Sequence, residues 1–132
     1  MSITTTVKVS LKHQCIFQFC LGVTGGMPAT VENVEYLSRH IPEGSTWSAF
    51  GIGAGHMPVL YTAIALGGHV RVGLEDNVVY GYDKEGKKIL ANNLMLVERA
   101  ARAVEAYGNE LLHLQKHVKC LVLHHWIMKL LI

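Results

Sequence analysis

The sequence predicts an α/β protein built on a sheet of parallel strands. Two apolar segments rich in strand-forming residues, 16–23 and 46–52, are each followed by a segment whose apolar residues have helical spacing. A third segment, 69–75, alternates as a strand does and is followed by a polar excursion and a third helix. Strands that alternate with helices favour parallel pairing through helical crossovers. Three such βα units would form either a small open sheet or three eighths of a (β/α)8 barrel.

The first unit is a strand over 16–23 followed by a helix that begins after Thr30. The strand is apolar at nearly every position, which predicts burial on both of its faces. Thr30 can cap the helix, whose third residue is Asn33. Pro42 and Gly44 end the helix. Four apolar residues at helical spacing predict its buried face: Val31, Val34, Leu37 and Ile41.

In the second unit a glycine-rich turn, 51–55, joins the strand to a helix over 57–66 that has Pro58 in its first turn. Backbone N–H groups that glycines expose just before a helix can hold a phosphate. Gly51 and Gly53 are therefore candidate contacts for CoA or another phosphorylated ligand. The alternative is a tight βα turn without a ligand, and the spacing lacks the six-residue fingerprint of dinucleotide binding.

The third strand, predicted over 69–75, runs into two adjacent carboxylates, Glu75 and Asp76. Arg71, Gly73 and Glu75 share one face of such a strand. Glu75 could ligate a divalent metal ion, and Asp76 could act as a base, because neighbouring carboxylates raise one pKa of the pair. Arg71 could hold a carboxylate through two hydrogen bonds. The alternative is a solvated acidic turn with a structural ion pair between Arg71 and Glu75.

The polar excursion, 77–93, predicts a solvated hairpin or loop, and residues 94–107 predict an amphipathic helix that ends at Gly108. The predicted apolar face of this helix consists of Leu94, Val97, Ala101, Val104 and Tyr107, and the polar face consists of Glu98, Arg99, Arg102 and Glu105.

Composition limits the class of protein. The 132 residues are 50% apolar and 17% charged, which allows one domain with a sizeable core. Cys15, Cys20 and Cys120 form no CxxC pair, so we expect reduced thiols in a cytoplasmic protein, with Cys15 and Cys20 in the core. No apolar run has the length of a membrane span. The basic flanks lack interleaved aromatic residues, which argues against nucleic acid as a partner. His113 and His117, four residues apart, are a weaker candidate zinc site.

Four motifs resemble one family. They are L-G-V-T-G-G-M-P-A-T-V-E-N (21–33), G-S-T-W-S-A-F-G-I-G (44–53), A-L-G-G-H-V-R-V-G-L-E-D-N (65–77) and L-V-E-R-A-A-R (96–102). The order and the residues of these motifs resemble those of the β-keto acid cleavage enzymes. Within that family they most resemble the 3-keto-5-aminohexanoate cleavage enzymes of lysine fermentation. The resemblance covers roughly residues 19–110.

The resemblance implies a zinc-dependent (β/α)8 TIM barrel of the acyltransferase type. Such enzymes convert a β-keto acid and acetyl-CoA into acetoacetate and a new CoA thioester, and intact members are expected to be homo-oligomers. By resemblance, Glu75 matches the zinc-ligating glutamate at the end of the last barrel strand. Asp76 matches the catalytic base, and Arg71 the arginine paired with it.

Two departures from the family's pattern limit these expectations. The family's His-x-His zinc ligands have no counterpart before Glu75, and Ala54 stands near a position where many members carry an arginine that would favour CoA. We therefore expect the chain to be the last three βα units of the barrel, inactive alone. The alternative is a small stand-alone α/β module that binds CoA or a phosphorylated ligand.

The flanks change composition abruptly, since all acidic residues lie between Glu32 and Glu110. The predicted boundaries are an irregular, non-native lead-in over 1–18, the enzyme portion over 19–111 and a frameshifted tail over 112–132. One DNA string read in two frames can encode both residues 112–123 and a segment of the kind that the family has there.

Overall fold

The computed structural model describes residues 15–111 and a two-residue strand near the C-terminus. Strands and helices alternate along the first part of the chain, as the sequence predicts. The elements in chain order are β1 (Ile16–Leu21), α1 (Val31–His40), β2 (Thr46–Gly51), α2 (His56–Ala65), β3 (His69–Val70), β4 (Val79–Tyr82), β5 (Lys88–Leu90), α3 (Asn93–Tyr107) and β6 (Ile127–Met128).

The main sheet has the strand order β3-β2-β1-β6, and its neighbouring strands are parallel. The longest pairing joins β1 to β2 over six residues, from Ile16 opposite Thr46 to Leu21 opposite Gly51. β4 and β5 form a separate antiparallel hairpin with an irregularity between Val79 and Gly81. The predicted α/β class with a parallel sheet is therefore confirmed, and the polar excursion is a hairpin.

The core lies on one side of this sheet, between β1 and β2 and the two helices α1 and α2. Phe17, Phe19 and Leu21 alternate along β1 with half-exposed residues, so the strand is buried on one face and the prediction of two buried faces is wrong. The main core cluster combines residues of β1 and β2 with Val34 and Leu37 of α1 and Val59 and Ala63 of α2. The half-exposed face therefore remains for polar side chains.

Helix α1 begins where the sequence predicts. The Thr30 side chain accepts a hydrogen bond from the backbone N–H of Asn33, at 3.3 Å, which satisfies one of the N–H groups that every helix leaves free at its start. Val34 and Leu37 are buried, whereas Val31 is 48% exposed and contributes little to the core.

Helix α3 has the predicted extent and ends at Gly108, whose φ of 93° is the left-handed conformation that glycine adopts most readily. Its predicted buried face is wrong: Leu94 and Val97 are exposed, and Leu96 and Ala100 are buried instead. Arg99, which the sequence predicts on the solvent face, packs against the hairpin instead. Its Nη1 donates to the carbonyl oxygen of Tyr80 at 2.6 Å and its guanidinium lies 4.2 Å from the Tyr80 ring centroid. An arginine held by these two contacts can lie on a packed face, although the buried Nη2 of Arg99 has no hydrogen-bond partner among the described residues.

Two further sequence predictions concern membrane spans and the candidate zinc site formed by His113 and His117. Between residues 15 and 111 no helix has both the length and the apolar character needed to cross a membrane. The candidate zinc ligands His113 and His117, together with Cys120, lie outside the described residues.

Candidate active site

The candidate site forms where the chain leaves β3. The strand ends at Val70, so the prediction that it continues to residue 75 is wrong. From residue 73 the chain turns, and the N–H groups of Asp76 and Asn77 both donate to the carbonyl oxygen of Gly73 at 3.1 Å. An alternating pattern shows which residues can occupy a strand but not where its partner strand stops. The turn brings Arg71 and Asp76, which strand geometry would place on opposite faces, into contact.

Arg71 and Asp76 form a bidentate ion pair. Nε of Arg71 lies 3.0 Å from Oδ2 of Asp76, and Nη2 lies 3.1 Å from Oδ1. The Asp76 side chain is 6% exposed and that of Arg71 33% exposed. Such two-point pairs fix orientation as well as charge. The Asp76 carboxylate is thus held in one orientation close to a compensating charge.

Other residues hold the Arg71 guanidinium in place. Its carbon Cζ lies 4.5 Å from the ring centroid of the buried Phe50, a cation–π contact, and Nη1 donates to Oε1 of Gln18 at 3.3 Å. Gln18 also reaches Ser48 Oγ at 3.5 Å. Gln18 and Ser48 lie on the half-exposed face of the sheet, so polar residues of β1 and β2 support the arginine from behind.

Glu75 is placed differently from Asp76. Its side chain is 61% exposed, and its Oε1 lies 3.5 Å from Nη2 of Arg71, at the long end of hydrogen-bond distances. The ion pair considered as an alternative for Arg71 and Glu75 therefore exists but is weak. The Glu75 carboxylate remains accessible for another ligand.

A zinc site needs about three protein ligands. Among the residues that the structure describes, no group of three or more His, Cys, Asp or Glu side chains could hold a metal ion. Glu75 is thus one possible ligand, and the described residues do not by themselves fit a zinc ion.

Cys20 lies close enough to this site to feel its charges. Burial raises the pKa of the Cys20 thiol, the Asp76 carboxylate raises it further, and Arg71 opposes both effects. A thiol in that environment stays protonated and is a poor nucleophile. Cys15 is buried, as predicted for a core residue, whereas Cys20 is half-buried on the site's side of the sheet.

The glycine turn is tied to the acidic turn by Asn77. The N–H of Gly53 donates to Oδ1 of Asn77 at 3.0 Å, and Nδ2 of Asn77 donates to the carbonyl oxygen of Gly51 at 2.8 Å. Nδ2 also lies 2.9 Å from Nδ1 of His56, the first residue of α2. One of the backbone N–H groups that the sequence offers to a phosphate is therefore already engaged within the protein.

Close packing explains why residue 55, in the same turn, is a glycine. A Cβ atom on Gly55 would lie 2.2 Å from the carbonyl oxygen of Ala29, which precedes α1. Such a contact forces backbone atoms apart. The turn therefore seats the N-terminus of α2 directly against the chain that leads into α1.

Substituting Gly55 with alanine should destabilise the protein. We expect Gly55→Ala to lower the free energy of unfolding by about 3 kcal/mol, because backbone must move to admit the new atom. Gly81→Ala is the matched control, since nothing lies within 4 Å of a Cβ there, and it should change stability by less than about 0.5 kcal/mol. Urea denaturation followed by circular dichroism measures both changes. Equal effects of the two substitutions would contradict the close approach.

Sequence reasoning missed His56 and Asn77 as a buried polar pair, 6% and 8% exposed. Asn77 follows the two carboxylates and His56 follows the glycine turn, but neither residue is part of a recognisable catalytic or ligand-binding motif. The one available signal was a histidine at the start of an otherwise apolar helix.

A parallel α/β sheet with an arginine and a buried carboxylate paired just beyond its edge strand is an arrangement typical of enzyme sites. Residues 6–123 match the family described as beta-keto acid cleavage enzyme. The chain belongs to this family of enzymes.

Three curated relatives give the family context. The chain is 44% identical over 96 residues to a 3-keto-5-aminohexanoate cleavage enzyme of Fusobacterium nucleatum. The aligned region covers 72% of this chain and 33% of the relative. It is 37% identical over 102 residues to the 3-dehydrocarnitine:acetyl-CoA trimethylamine transferase of Rhizobium meliloti, covering 77% and 32%. A 3-oxoadipate:acetyl-CoA acetyltransferase of Cupriavidus necator is 35% identical over 95 residues, covering 69% and 32%. The chain thus spans about a third of the length of these relatives.

Proposed function

We propose that this chain is the C-terminal portion of a zinc-dependent β-keto acid cleavage enzyme and supplies the last three βα units of its (β/α)8 barrel. The reaction proposed for the intact enzyme converts a β-keto acid and acetyl-CoA into acetoacetate and a new CoA thioester. The proposed β-keto acid is 3-keto-5-aminohexanoate, as in lysine fermentation. The observation that carries this proposal is the bidentate Arg71–Asp76 pair in a chain that belongs to the family.

In the proposed mechanism Asp76 is the base that accepts and returns a proton during cleavage of the carbon–carbon bond. Its buried carboxylate has little water to compete for the proton, and the contact with Arg71 fixes the direction of its oxygens. Arg71 positions Asp76 and balances its charge. Phe50 and Gln18 hold Arg71 in turn, so the base is presented on a rigid support.

Glu75 is proposed as one ligand of the enzyme's zinc ion. Its exposure and its weak contact with Arg71 leave the carboxylate able to bind a metal. The remaining ligands are not among the described residues, and we propose that the 132-residue chain alone is inactive for that reason.

The proposed small-molecule partners of the intact enzyme are the keto acid and acetyl-CoA, and the enzyme is proposed to form a homo-oligomer. It is proposed to act in the cytoplasm and to bind neither nucleic acid nor a membrane. Gly51 and Gly53 are proposed as backbone contacts to CoA. A CoA phosphate at Gly53 would have to exchange with Asn77 for the backbone N–H. A stand-alone CoA-binding or phosphate-binding module remains the competing proposal.

A chimera tests this function. In it, the matched 96-residue segment of the Fusobacterium nucleatum relative is replaced by the corresponding segment of this chain. We expect the chimera to form acetoacetate from 3-keto-5-aminohexanoate and acetyl-CoA, whereas the isolated chain forms none. A folded chimera without activity, or an isolated chain with activity, would contradict the proposal.

The flanks carry a separate proposal, that residues 1–18 and 112–132 are products of frameshifts in the encoding DNA. Within the first flank, residues 16–18 form the start of β1 and Gln18 contacts Arg71, so these three residues belong to the folded portion. Sequencing that DNA and translating it in all frames tests the idea. The expected result is a family-like segment in another frame opposite residues 112–123. If no frame yields such a segment, the flanks are native to the chain.

A further inference from the structure

The acidic turn, residues 73–77, lies beyond the pairing of β3 with the rest of the sheet. The last paired residue of β3 is Val70, opposite Ala49, and the candidate base Asp76 follows well after it. A catalytic side chain is held precisely only where its backbone is held as well. Contacts other than strand pairing must therefore fix this turn against the sheet.

The Asn77 side chain makes such a contact with the glycine turn. Its Oδ1 accepts from the N–H of Gly53 at 3.0 Å, and its Nδ2 donates to the carbonyl oxygen of Gly51 at 2.8 Å. The N–H of Ile52, between these two groups, donates to the carbonyl oxygen of Leu21 in β1, the neighbour on the other side of β2. Gly51 and Gly53 thus present the carbonyl and the N–H to which a parallel strand on the β3 side would bond. The buried Asn77 amide takes the place of that strand.

The partners of the Asn77 amide fix its orientation. The N–H of Gly53 can only donate and the carbonyl of Gly51 can only accept, so the amide oxygen lies toward Gly53 and the nitrogen toward Gly51. The nitrogen has a second hydrogen, which it donates to Nδ1 of His56, 2.9 Å away. Both N–H bonds of the buried amide are thereby satisfied, so His56 supports the orientation that the two glycines impose.

The surroundings keep His56 in the neutral form that accepts this hydrogen bond. Burial lowers the pKa of His56, and the positive charge of Arg99 lowers it further, against smaller opposing effects of the Gly51 backbone and the Asp76 carboxylate. A ring protonated at Nδ1 would turn a donor toward the amide nitrogen of Asn77. The neutral ring therefore fits the observed contact.

We propose that Asn77 is a positioning residue for Asp76 and that His56 acts with it by holding the Asn77 amide. The proposal rests on the proposed function of Asp76 as the base. Asn77 follows Asp76 directly in the chain, so an Asn77 side chain fixed to the glycine turn limits movement of the Asp76 backbone. Arg71 fixes the carboxylate itself and is supported from β1 by Gln18. The base is thus held both at its backbone and at its carboxylate, through two different strands.

The first test is Asn77→Ala in the chimera described above. We expect kcat to fall at least about tenfold, because a small displacement of a catalytic group is enough to lose rate. KM for both substrates should stay within about twofold of the parent's, since Asn77 is not proposed to touch either substrate. Circular dichroism at the assay temperature shows whether the variant is folded.

A matched pair of variants at residue 56 tests the support of Asn77. His56→Asn retains an acceptor, the side-chain oxygen, close to the position of Nδ1, whereas His56→Leu has a side chain of similar size to histidine and no acceptor. We expect His56→Leu to lower kcat about threefold to tenfold, the value of one hydrogen bond, and His56→Asn to stay within about twofold of the parent. The pair decides the proposal even if Asn77→Ala does not fold.

A spectroscopic measurement on the full 132-residue chain needs no turnover. The Nε–H of Arg71 donates to Asp76 at 3.0 Å, and its exchange with water reports how firmly that carboxylate is held. Proton–nitrogen NMR should show faster exchange in His56→Leu and at least about tenfold faster exchange in Asn77→Ala than in the parent chain. Asn109→Ala, which removes an exposed asparagine just after α3, is the matched control and should leave the rate unchanged.

Three results would overturn the proposal. They are a folded Asn77→Ala chimera whose kcat stays within about twofold of the parent's, equal effects of His56→Asn and His56→Leu on kcat, and the same exchange rate of the Arg71 Nε–H in Asn77→Ala as in the parent chain. An inactive parent chimera would instead contradict the proposed function, and the Arg71 exchange rates would still decide whether Asn77 holds Asp76.

Discussion

Replacing Asp76 with asparagine in the chimera should reduce the rate of acetoacetate formation by at least about a hundredfold, the usual contribution of a positioned general base. Asparagine is nearly isosteric and can still accept a hydrogen bond from Arg71, so the shape of the site is retained while its basicity is lost. We expect kcat to fall and KM to change little, because the contribution of a base is made in the transition state. Steady-state kinetics with acetyl-CoA in excess measures both constants.

Asp83→Asn is the matched control for that substitution. Asp83 lies in the exposed turn between β4 and β5, where its Oδ1 accepts from the N–H groups of Glu85 and Lys87. The same chemical change there should leave kcat within about twofold of the parent chimera. A chimera with Asp76→Asn that keeps more than half of the parent's kcat would rule out Asp76 as the base.

Replacing Arg71 with alanine should cost the chain itself about 2–3 kcal/mol of unfolding free energy. Removing one partner of a buried ion pair leaves an uncompensated charge, at a cost of about 3–5 kcal/mol when both partners are buried. The expected value here is lower because the Arg71 side chain is 33% exposed. Loss of the cation–π contact with Phe50 contributes to the same effect. Urea denaturation of the full chain measures the difference.

Two comparisons separate the effect of leaving the Asp76 charge uncompensated from the effect of removing any arginine side chain. Arg39→Ala removes an exposed arginine of α1 that pairs with Glu35 one turn away, and it should cost less than about 0.5 kcal/mol. The double variant Arg71→Ala/Asp76→Ala should be more stable than Arg71→Ala alone, since it also removes the stranded carboxylate. A single variant as stable as the parent would mean that Asp76 does not depend on Arg71.

Local signals in the sequence were sufficient to predict the order of the strands and helices and the positions where several of them begin or end. Thr30 and Gly108 act within their own helix, through a cap and a left-handed residue, so their effects need no knowledge of the rest of the chain. The parallel sheet followed from the alternation of strands and helices, which restricts topology without specifying any contact.

The features that sequence reasoning missed depend on contacts between distant residues. The end of β3 depends on how far β2 pairs with it, and the packed face of α3 depends on the hairpin carbonyl that accepts a hydrogen bond from Arg99. The Arg71–Asp76 contact followed from the resemblance, whereas its geometry required the turn at Gly73. His56 carries no recognisable motif, and its contact with Asn77, 21 residues away in the sequence, depends on the fold.

Zinc content tests most directly the central claim, that Glu75 is one ligand of a metal site completed by parts of the enzyme beyond the described residues. Elemental analysis of dialysed proteins should find about one zinc ion per chain in the chimera, much less in its Glu75→Gln variant and almost none in the isolated chain. The claim would be contradicted if the isolated chain held one zinc ion per chain, or if the Glu75→Gln chimera held as much zinc as its parent.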